Sequence, residues 1–539
     1  MKETSVFLRK ASGLVRAWSV FDAFIYAFFS INLITLGLYI FSFAPFLPEA
    51  HLVPAIVVSG IFIMFEIVVY AMLISAMPRA GGDYVWQSRL LGGAWGFVLS
   101  MTGWVFILWH WVPLYGTMMV YEVFTPLLTI LGGALKSQAL LGASIWFSGQ
   151  HGLFLGSIIV IGWVSFVITM GMKWYARIQK FCFYLGIVGL ATVFVVLLTT
   201  SKETFVSALN GFAQSVFGVA GNAYEETLKA ASNDGYTPVA WSNMAVLPSL
   251  SLIPMVVFFN LWPNWGATLY GEVRGAGDFK RNFWGMALAL IVTTILAVIF
   301  LGLIARTMGW DFYLAANHAW YAGTATLPLW PYPGFLAAVI SRSLPLQIFI
   351  LISLGAWFFG WAGTVFLSST RVVFAAAFDR ALPDWIANVS KRRASPVNAL
   401  LAMAIPSTIV AIMYSYVPGF MTFTLDTTVV IAITYFGTTI AAIIMPYRDP
   451  ELYRSSPIGK YQVGGIPLIT LSGVIFAAFL VFNLYKWIVD PVYGVNNPLS
   501  ALYMGSLYVL AVALYYGFRS YRKRQGIDLD MVYKEIPVE

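Results

Sequence analysis

The feature that most limits what this chain can become is a recurring apolar run of about 20 residues, repeated along nearly its whole length and separated by short polar stretches. About 20 apolar residues in a helix cross the ~30 Å hydrocarbon core of a bilayer. Backbone groups in lipid must find partners inside their own segment, so such runs fold as helices. A membrane barrel would show alternating segments of ~10 residues instead. Charged residues make up 10% of the chain, against about 25% for soluble domains. The pattern predicts spans at 18–43, 52–76, 92–124, 153–172, 178–200, 247–270, 283–306, 345–379, 397–415, 421–446, 466–488 and 498–519. The fold class expected is therefore an all-α membrane protein of about twelve transmembrane helices.

An even number of spans puts both termini on one side. With these spans, 24 of the 31 Lys and Arg residues fall on the terminal side. The opposite side holds only Lys136, Lys202, Lys229, Arg306, Arg342 and Lys486. Positive charge is retained in the cytoplasm, so a multi-pass protein of the cell membrane with both termini cytoplasmic is expected. The net charge of +8 is then topological, and no nucleic-acid partner is implied. The first run follows Lys2, Arg9, Lys10 and Arg16, lacks a small-residue cleavage site and exceeds signal-peptide length, so it reads as a retained helix. Cys182 is the only cysteine, which excludes an internal disulfide or a cysteine metal cluster. His51, His110, His151 and His318 are scattered, so neither a metal site, a cofactor nor a catalytic centre is expected. Two long segments, 201–246 and 307–344, fall on the external side. The second holds Leu329-Trp330-Pro331-Tyr332-Pro333 and reads either as a lid or as a loop with aromatics at headgroup depth.

Several motifs lie in the turns of the terminal side. Met77-Pro78-Arg79-Ala80-Gly81-Gly82-Asp83-Tyr84 joins spans 2 and 3, and Gly271-Glu272-Val273-Arg274 follows span 6. Ser369-Thr370-Arg371-Val372-Val373-Phe374 runs through Asp379-Arg380-Ala381-Leu382-Pro383 to Ser395-Pro396-Val397-Asn398. Gly171-Met172-Lys173 precedes span 5. In this order they resemble the signatures of the amino acid–polyamine–organocation superfamily. That resemblance implies a 5+5 inverted repeat, spans 1–5 (18–200) and 6–10 (247–446), with helices 1 and 6 broken at mid-membrane. The 201–246 loop lies between the repeats and the 307–344 loop within the second. Spans 11 and 12 (447–519) would be peripheral, flanked by the 1–17 N-terminus and the 520–539 tail.

A broken helix exposes backbone groups that are tolerated only beside a cavity. Its N-terminal ends attract anions and its C-terminal ends attract cations. An amino acid zwitterion carries both. In span 6, Asn260-Leu261-Trp262-Pro263-Asn264-Trp265-Gly266 places proline and glycine at mid-span. In span 1 the resemblance puts the break within 27–37, where Gly37 is the one glycine and Ser30, Asn32 and Thr35 are polar enough to line a cavity. The substrate residues expected are thus Ser30, Asn32, Thr35, Gly37, Asn260, Trp262 and Asn264, with Phe258 or Phe259 as an aromatic gate.

Ionisable groups at bilayer depth are functional candidates. Glu66 lies mid-span in span 2 and is suited to carrying a proton; His110, mid-span in span 3, can titrate or bond substrate. Asp22 and Glu122 lie near span ends and are expected to reach water. Some relatives hold a cation with a lysine in span 5, where this chain has Gly186. Others bind sodium with adjacent hydroxyls, which Ser368 and Ser369 supply here. The resemblance implies secondary transport of an amino acid by alternating access, coupled to Na+ or H+ or running as exchange. A polyamine or organocation carrier and a non-transporting sensor of the same fold are the alternatives.

Overall fold

The computed structural model describes residues 16–390, 395–420 and 426–536, together with 14 and 423. Lys2, Arg9 and Lys10, the loop residues 391–394 and most of 421–425, where span 10 is expected to open, lie outside the described residues. Twelve helices among the described residues are long and apolar enough to cross a membrane. They are Val20–Phe41, Leu52–Ala76, Gly93–Ala134, Gln150–Thr169, Met172–Thr199, Val246–Glu272, Phe279–Ala322, Leu344–Phe378, Val397–Tyr416, Asp426–Arg448, Leu468–Val489 and Pro498–Arg524, numbered below as spans 1 to 12. Apart from one two-residue hairpin, Gln462–Val463 with Ile466–Pro467, the described residues form no sheet.

Span 3 runs ten residues past its expected end. Pro126 stands at the start of the helix Thr125–Ala134, directly after a π-helical turn at Val120–Phe124. A proline at that position lacks only an N–H that the helix start leaves free anyway. Glu122 is consequently deep inside the span and buried, not near water. Asp22 is also buried: it closes a capping box with Ser19 and pairs with Lys180 at 2.7 Å.

Spans 1 and 6 are interrupted. Span 1 is α-helical over Val20–Ile31, turns at Asn32 with φ 45°, and resumes as a π-turn at Leu33–Gly37. Asparagine is one of the few residues that tolerate this left-handed conformation. Its Oδ1 also accepts the Thr35 N–H at 3.0 Å, capping the segment that follows. Span 6 is helical over Ile253–Asn260, leaves the helix at Leu261–Trp262, and continues as a 3-10 helix over Pro263–Glu272. Pro263 has no N–H with which to extend the ladder across the gap.

On the face that carries the N-terminal segment, side chains lace the spans together. Trp18 N–H donates to the Glu272 carbonyl, Arg274 N–H donates to the Trp18 carbonyl, and the Trp18 indole reaches the Met172 carbonyl. Arg89 grips Asp379 with two bonds at 2.5 and 3.0 Å. Arg522, at the end of span 12, bonds Asp384 and the Arg380 and Leu382 carbonyls. Tyr533 of the tail lies under the Arg89 guanidinium.

The opposite face is covered by helices within the two long segments: Lys202–Phe217 and Ala223–Asn233 in the first, Trp310–Ala322 and Pro333–Ile340 in the second. Tyr224 stacks on Phe312 and Phe212 meets Phe335, so the two segments form one packed layer. Trp330 and Tyr332 are buried, with Trp330 against Tyr39 of span 1. The aromatic–proline motif is therefore packed on protein.

His51, which caps span 2 from this face, is sandwiched between Trp241 and Trp310. Burial pushes its imidazole down to about 4, from an ordinary 6.5. The unfolded chain then binds the extra proton first, so the stability His51 contributes is present above pH 6.5 and lost as pH falls toward 4. Thermal unfolding in detergent, followed by tryptophan fluorescence, should show a midpoint that drops between pH 7 and pH 5. The His51→Asn variant, which keeps a capping side chain, should show a smaller drop; an equal drop rejects the assignment.

Candidate functional site

Where the two interruptions meet, the structure holds a narrow cavity of about 10 Å³, room for about one water molecule. Span 1 lines it with Ser30 and Leu36, span 3 with Trp111 and Tyr115, span 6 with Trp262 and Trp265, and span 8 with Trp361 and Thr364. Its walls are mainly aromatic planes. Trp262 stands perpendicular to Trp111 and to Trp265, with ring centroids 5.7 and 5.2 Å apart. Tyr115 lies against Trp361 at 3.8 Å. The Trp262 indole donates to the Phe258 carbonyl at 2.6 Å, which ties its ring across the break in span 6. The Trp265 indole donates to the Thr364 carbonyl at 3.2 Å.

Both routes out of this cavity are closed. Toward the N-terminal face, the Tyr26 hydroxyl bonds the Thr364 carbonyl and Ser368 Oγ, and Ser368 Oγ donates to the Trp265 carbonyl. Spans 1, 6 and 8 are thereby joined in one polar layer. Beneath it Arg371 forms a buried two-bond pair with Glu272, at 2.7 and 3.3 Å. Toward the other face, the Phe259 ring lies on Gly37. A Cβ at position 37 would come within 3.0 Å of that ring, so glycine is what lets the two half-helices touch. Phe41 meets Phe259 edge-on at 5.2 Å, and Ser42 bonds the Tyr321 hydroxyl of the covering layer.

The residues expected from sequence divide accordingly. Ser30 and Trp262 line the cavity, while Asn32 and Gly37 shape the break that borders it. Thr35 is buried one turn beyond Asn32, beside Glu122. Of the two gate candidates, Phe259 covers Gly37 and Phe258 stacks on Trp111. Asn260 and Asn264 are not among the lining residues. Asn260 Nδ2 donates to Ser59 of span 2 at 2.7 Å, and Asn264 Oδ1 accepts the Tyr435 hydroxyl of span 10 at 3.0 Å. The proposed sodium pair is split: Ser368 bridges spans, and Ser369 donates to its own helix at Val365. His110 is stacked on Phe420, meets Tyr414 edge-on and is not among the lining residues. Glu66 is fully buried in span 2 beside Asp83 and Tyr435.

Sequence reasoning passed over Trp111, Tyr115, Trp265, Trp361 and Thr364. Trp111 stood in the Trp109-His110-Trp111 triplet beside the residue chosen for its titration. One signal was present: four of the chain's 20 tryptophans flank or follow features already singled out in spans 3 and 6.

The arrangement brings two interrupted helices together around aromatic faces, with residues from different spans packed on both sides; in this conformation the gap is too narrow for more than a water molecule, so a larger guest needs these walls to part. No grouping of three or more His, Cys, Asp or Glu residues able to hold a metal ion occurs among the described residues. Comparison with curated proteins finds no match. The family model described as amino acid permease matches residues 19–513, from the start of span 1 to near the end of span 12. With twelve apolar helices and a match over nearly its full length, the chain is a membrane transporter that belongs to the amino acid permease family.

Proposed function

We propose that the chain carries an amino acid across the cell membrane as a secondary transporter, with both termini in the cytoplasm, by exposing one central site to each side in turn. The observation that carries this reading is the closed cavity at the meeting point of the interrupted spans 1 and 6. Half-helix ends there offer partial charges of both signs to a zwitterion. The tryptophan walls favour an apolar or aromatic side chain over a charged one, since no acidic or basic residue lines the cavity. In this reading spans 1–5 and 6–10 are the two inverted repeats, and spans 11 and 12 are peripheral. The polar layer of Tyr26, Trp265 and Ser368, with the Glu272–Arg371 pair below it, is the inner gate. Phe259 over Gly37 is the outer one.

Purified protein in liposomes preloaded with an unlabelled amino acid pool tests this. Saturable, trans-stimulated entry of at least one labelled amino acid is the expected result. Absence of counterflow across all amino acids and polyamines would turn the reading toward a sensor of the same fold.

A further inference from the structure

Glu66 sits one helical turn from Tyr70 on the same face of span 2. It is fully buried, and neither of its carboxyl oxygens accepts a hydrogen bond from any described residue. Asp83, which opens the short helix Asp83–Leu90 after Gly81-Gly82, is fully buried too. Its Oδ1 accepts from the Tyr70 hydroxyl and from Thr438 Oγ1, both at 2.6 Å, while its Oδ2 has no hydrogen-bond partner. Thr438 in turn accepts from Gln87 at 2.7 Å, so its own proton is committed to Asp83. The Tyr435 ring stands against Tyr70 with centroids 5.5 Å apart, and its hydroxyl donates to Asn264 beside the break in span 6.

The groups that face this pair are Tyr70 from span 2, Trp104 from span 3, and Tyr435 and Thr438 from span 10. Among the described residues no lysine, arginine or histidine pairs with either carboxyl. A buried carboxylate without donors or a counter-charge is strongly disfavoured, whereas a carboxylic acid in the same place is not. Asp83 lies outside the spans, and burial pushes its carboxyl up to about 6.

The position of Asp83 is tied to span 6. Gly81 N–H donates to the Thr268 carbonyl at 2.8 Å, and a Cβ on Gly82 would stand 3.0 Å from the Ala267 and Thr268 backbone. A Cβ on Gly81 would meet the Ala375 Cβ of span 8 at 2.5 Å. The two glycines thus let this turn seat directly on the half of span 6 below the break. A swing of that half-helix large enough to break the Tyr70 and Thr438 bonds moves Asp83 relative to Glu66, which is held in span 2.

We propose that Glu66 and Asp83 form a proton-binding pair that couples transport to protons. Glu66 holds the proton as a carboxylic acid in the closed conformation. Opening of the N-terminal face carries Asp83 away with span 6, admits water, and lets Glu66 release its proton to that water or take one from it. Tyr435 and Asn264 connect the pair to the interrupted segment at the substrate cavity. This inference rests on the carrier reading above and names its driving ion.

Two measurements separate the failure of one from the failure of the other. Infrared spectra of the wild type in lipid should contain a carboxylic-acid band at neutral pH that is lost in Glu66→Gln and shifted in Glu66→Asp. A Glu66 that is ionised at neutral pH overturns the proposal whatever the transport result. In liposomes with the potential clamped at zero, a wild type that carries one proton per substrate should accumulate about tenfold for each unit of imposed pH difference. In Glu66→Gln and Asp83→Asn the accumulation ratio should stop responding to that difference, whatever their absolute rates. Wild-type counterflow without any response to the pH difference rejects the proton pair and leaves the carrier standing. Absence of wild-type counterflow rejects the carrier, and the infrared result alone then decides the site.

Discussion

Replacing Trp262 by alanine is expected to abolish transport, and replacing it by phenylalanine to lower transport at least about tenfold. The two variants remove different things. Phenylalanine keeps an aromatic face beside Trp111 and Trp265 but deletes the indole N–H that holds the Phe258 carbonyl. That leaves a buried acceptor unpaired, which costs about 1–3 kcal/mol, and 1.4 kcal/mol is tenfold in an equilibrium. Alanine also removes the cavity wall, and truncation of a buried tryptophan costs about 3–5 kcal/mol. Loss of the alanine variant from the membrane therefore proves little, and the phenylalanine variant carries the test. The control is Asn260→Ala, two residues away, whose side chain bonds Ser59 in span 2. It should cost stability on the order of 1 kcal/mol and change substrate affinity little. Counterflow per inserted molecule reads both. Full activity in Trp262→Phe together with lost affinity in Asn260→Ala would put the site on the wrong side of span 6.

That contrast shows which parts of the molecule were legible in the sequence. The number of spans was, because the length of an apolar run answers directly to bilayer thickness. The break in span 6 was, because Pro263, which removes a ladder N–H, stands close to Gly266 at mid-span. The place of the break in span 1 was harder to read, because the signal sought was glycine. Asn32 takes the left-handed conformation instead and caps the next turn with its own side chain. Span 3 also runs past its expected end, because the π-turn at Val120–Phe124 leads into a further helix that continues to Ala134. Which face of a broken helix meets the cavity is set by rotation within the bundle, and local composition says nothing about that. Polar residues near the break drew attention to Asn260 and Asn264, yet both bond neighbouring spans. The cavity walls come from four spans far apart in sequence, with nearly half of the chain between Trp111 and Trp361, and no spacing rule joins them.

The same limit applied to the motifs in the turns. Read along the chain, Gly81-Gly82-Asp83, Gly271-Glu272 and Arg371 are separate markers of a family. In three dimensions they form a single assembly, in which the glycines seat the turn between spans 2 and 3 on spans 6 and 8. Glu272 and Arg371 then clamp those two spans together. These residues, far apart along the chain, close against one another on the N-terminal face.

Glu272→Gln is accordingly expected to destabilise the protein by about 3–5 kcal/mol, the usual result of removing one partner from a buried ion pair. Arg371 is fully buried and spends its guanidinium on Glu272 and on Thr370 Oγ1, so the neutral variant leaves a cation in the protein interior without compensation. The penalty falls only on conformations in which that site is dry. When the N-terminal face opens, water reaches the guanidinium and the loss is largely relieved. Glu272→Gln should therefore lower the unfolding midpoint in detergent and also shift the population toward the open form, which a cysteine placed beside Trp265 would report by faster alkylation from the N-terminal side. The double variant Glu272→Gln, Arg371→Met removes both charges. Because two matched apolar or neutral groups replace a buried pair at little cost or even with gain, it should recover most of the lost stability. A double variant no more stable than Glu272→Gln, or alkylation that stays slow in the single variant, would mean that the pair is not what holds this face shut.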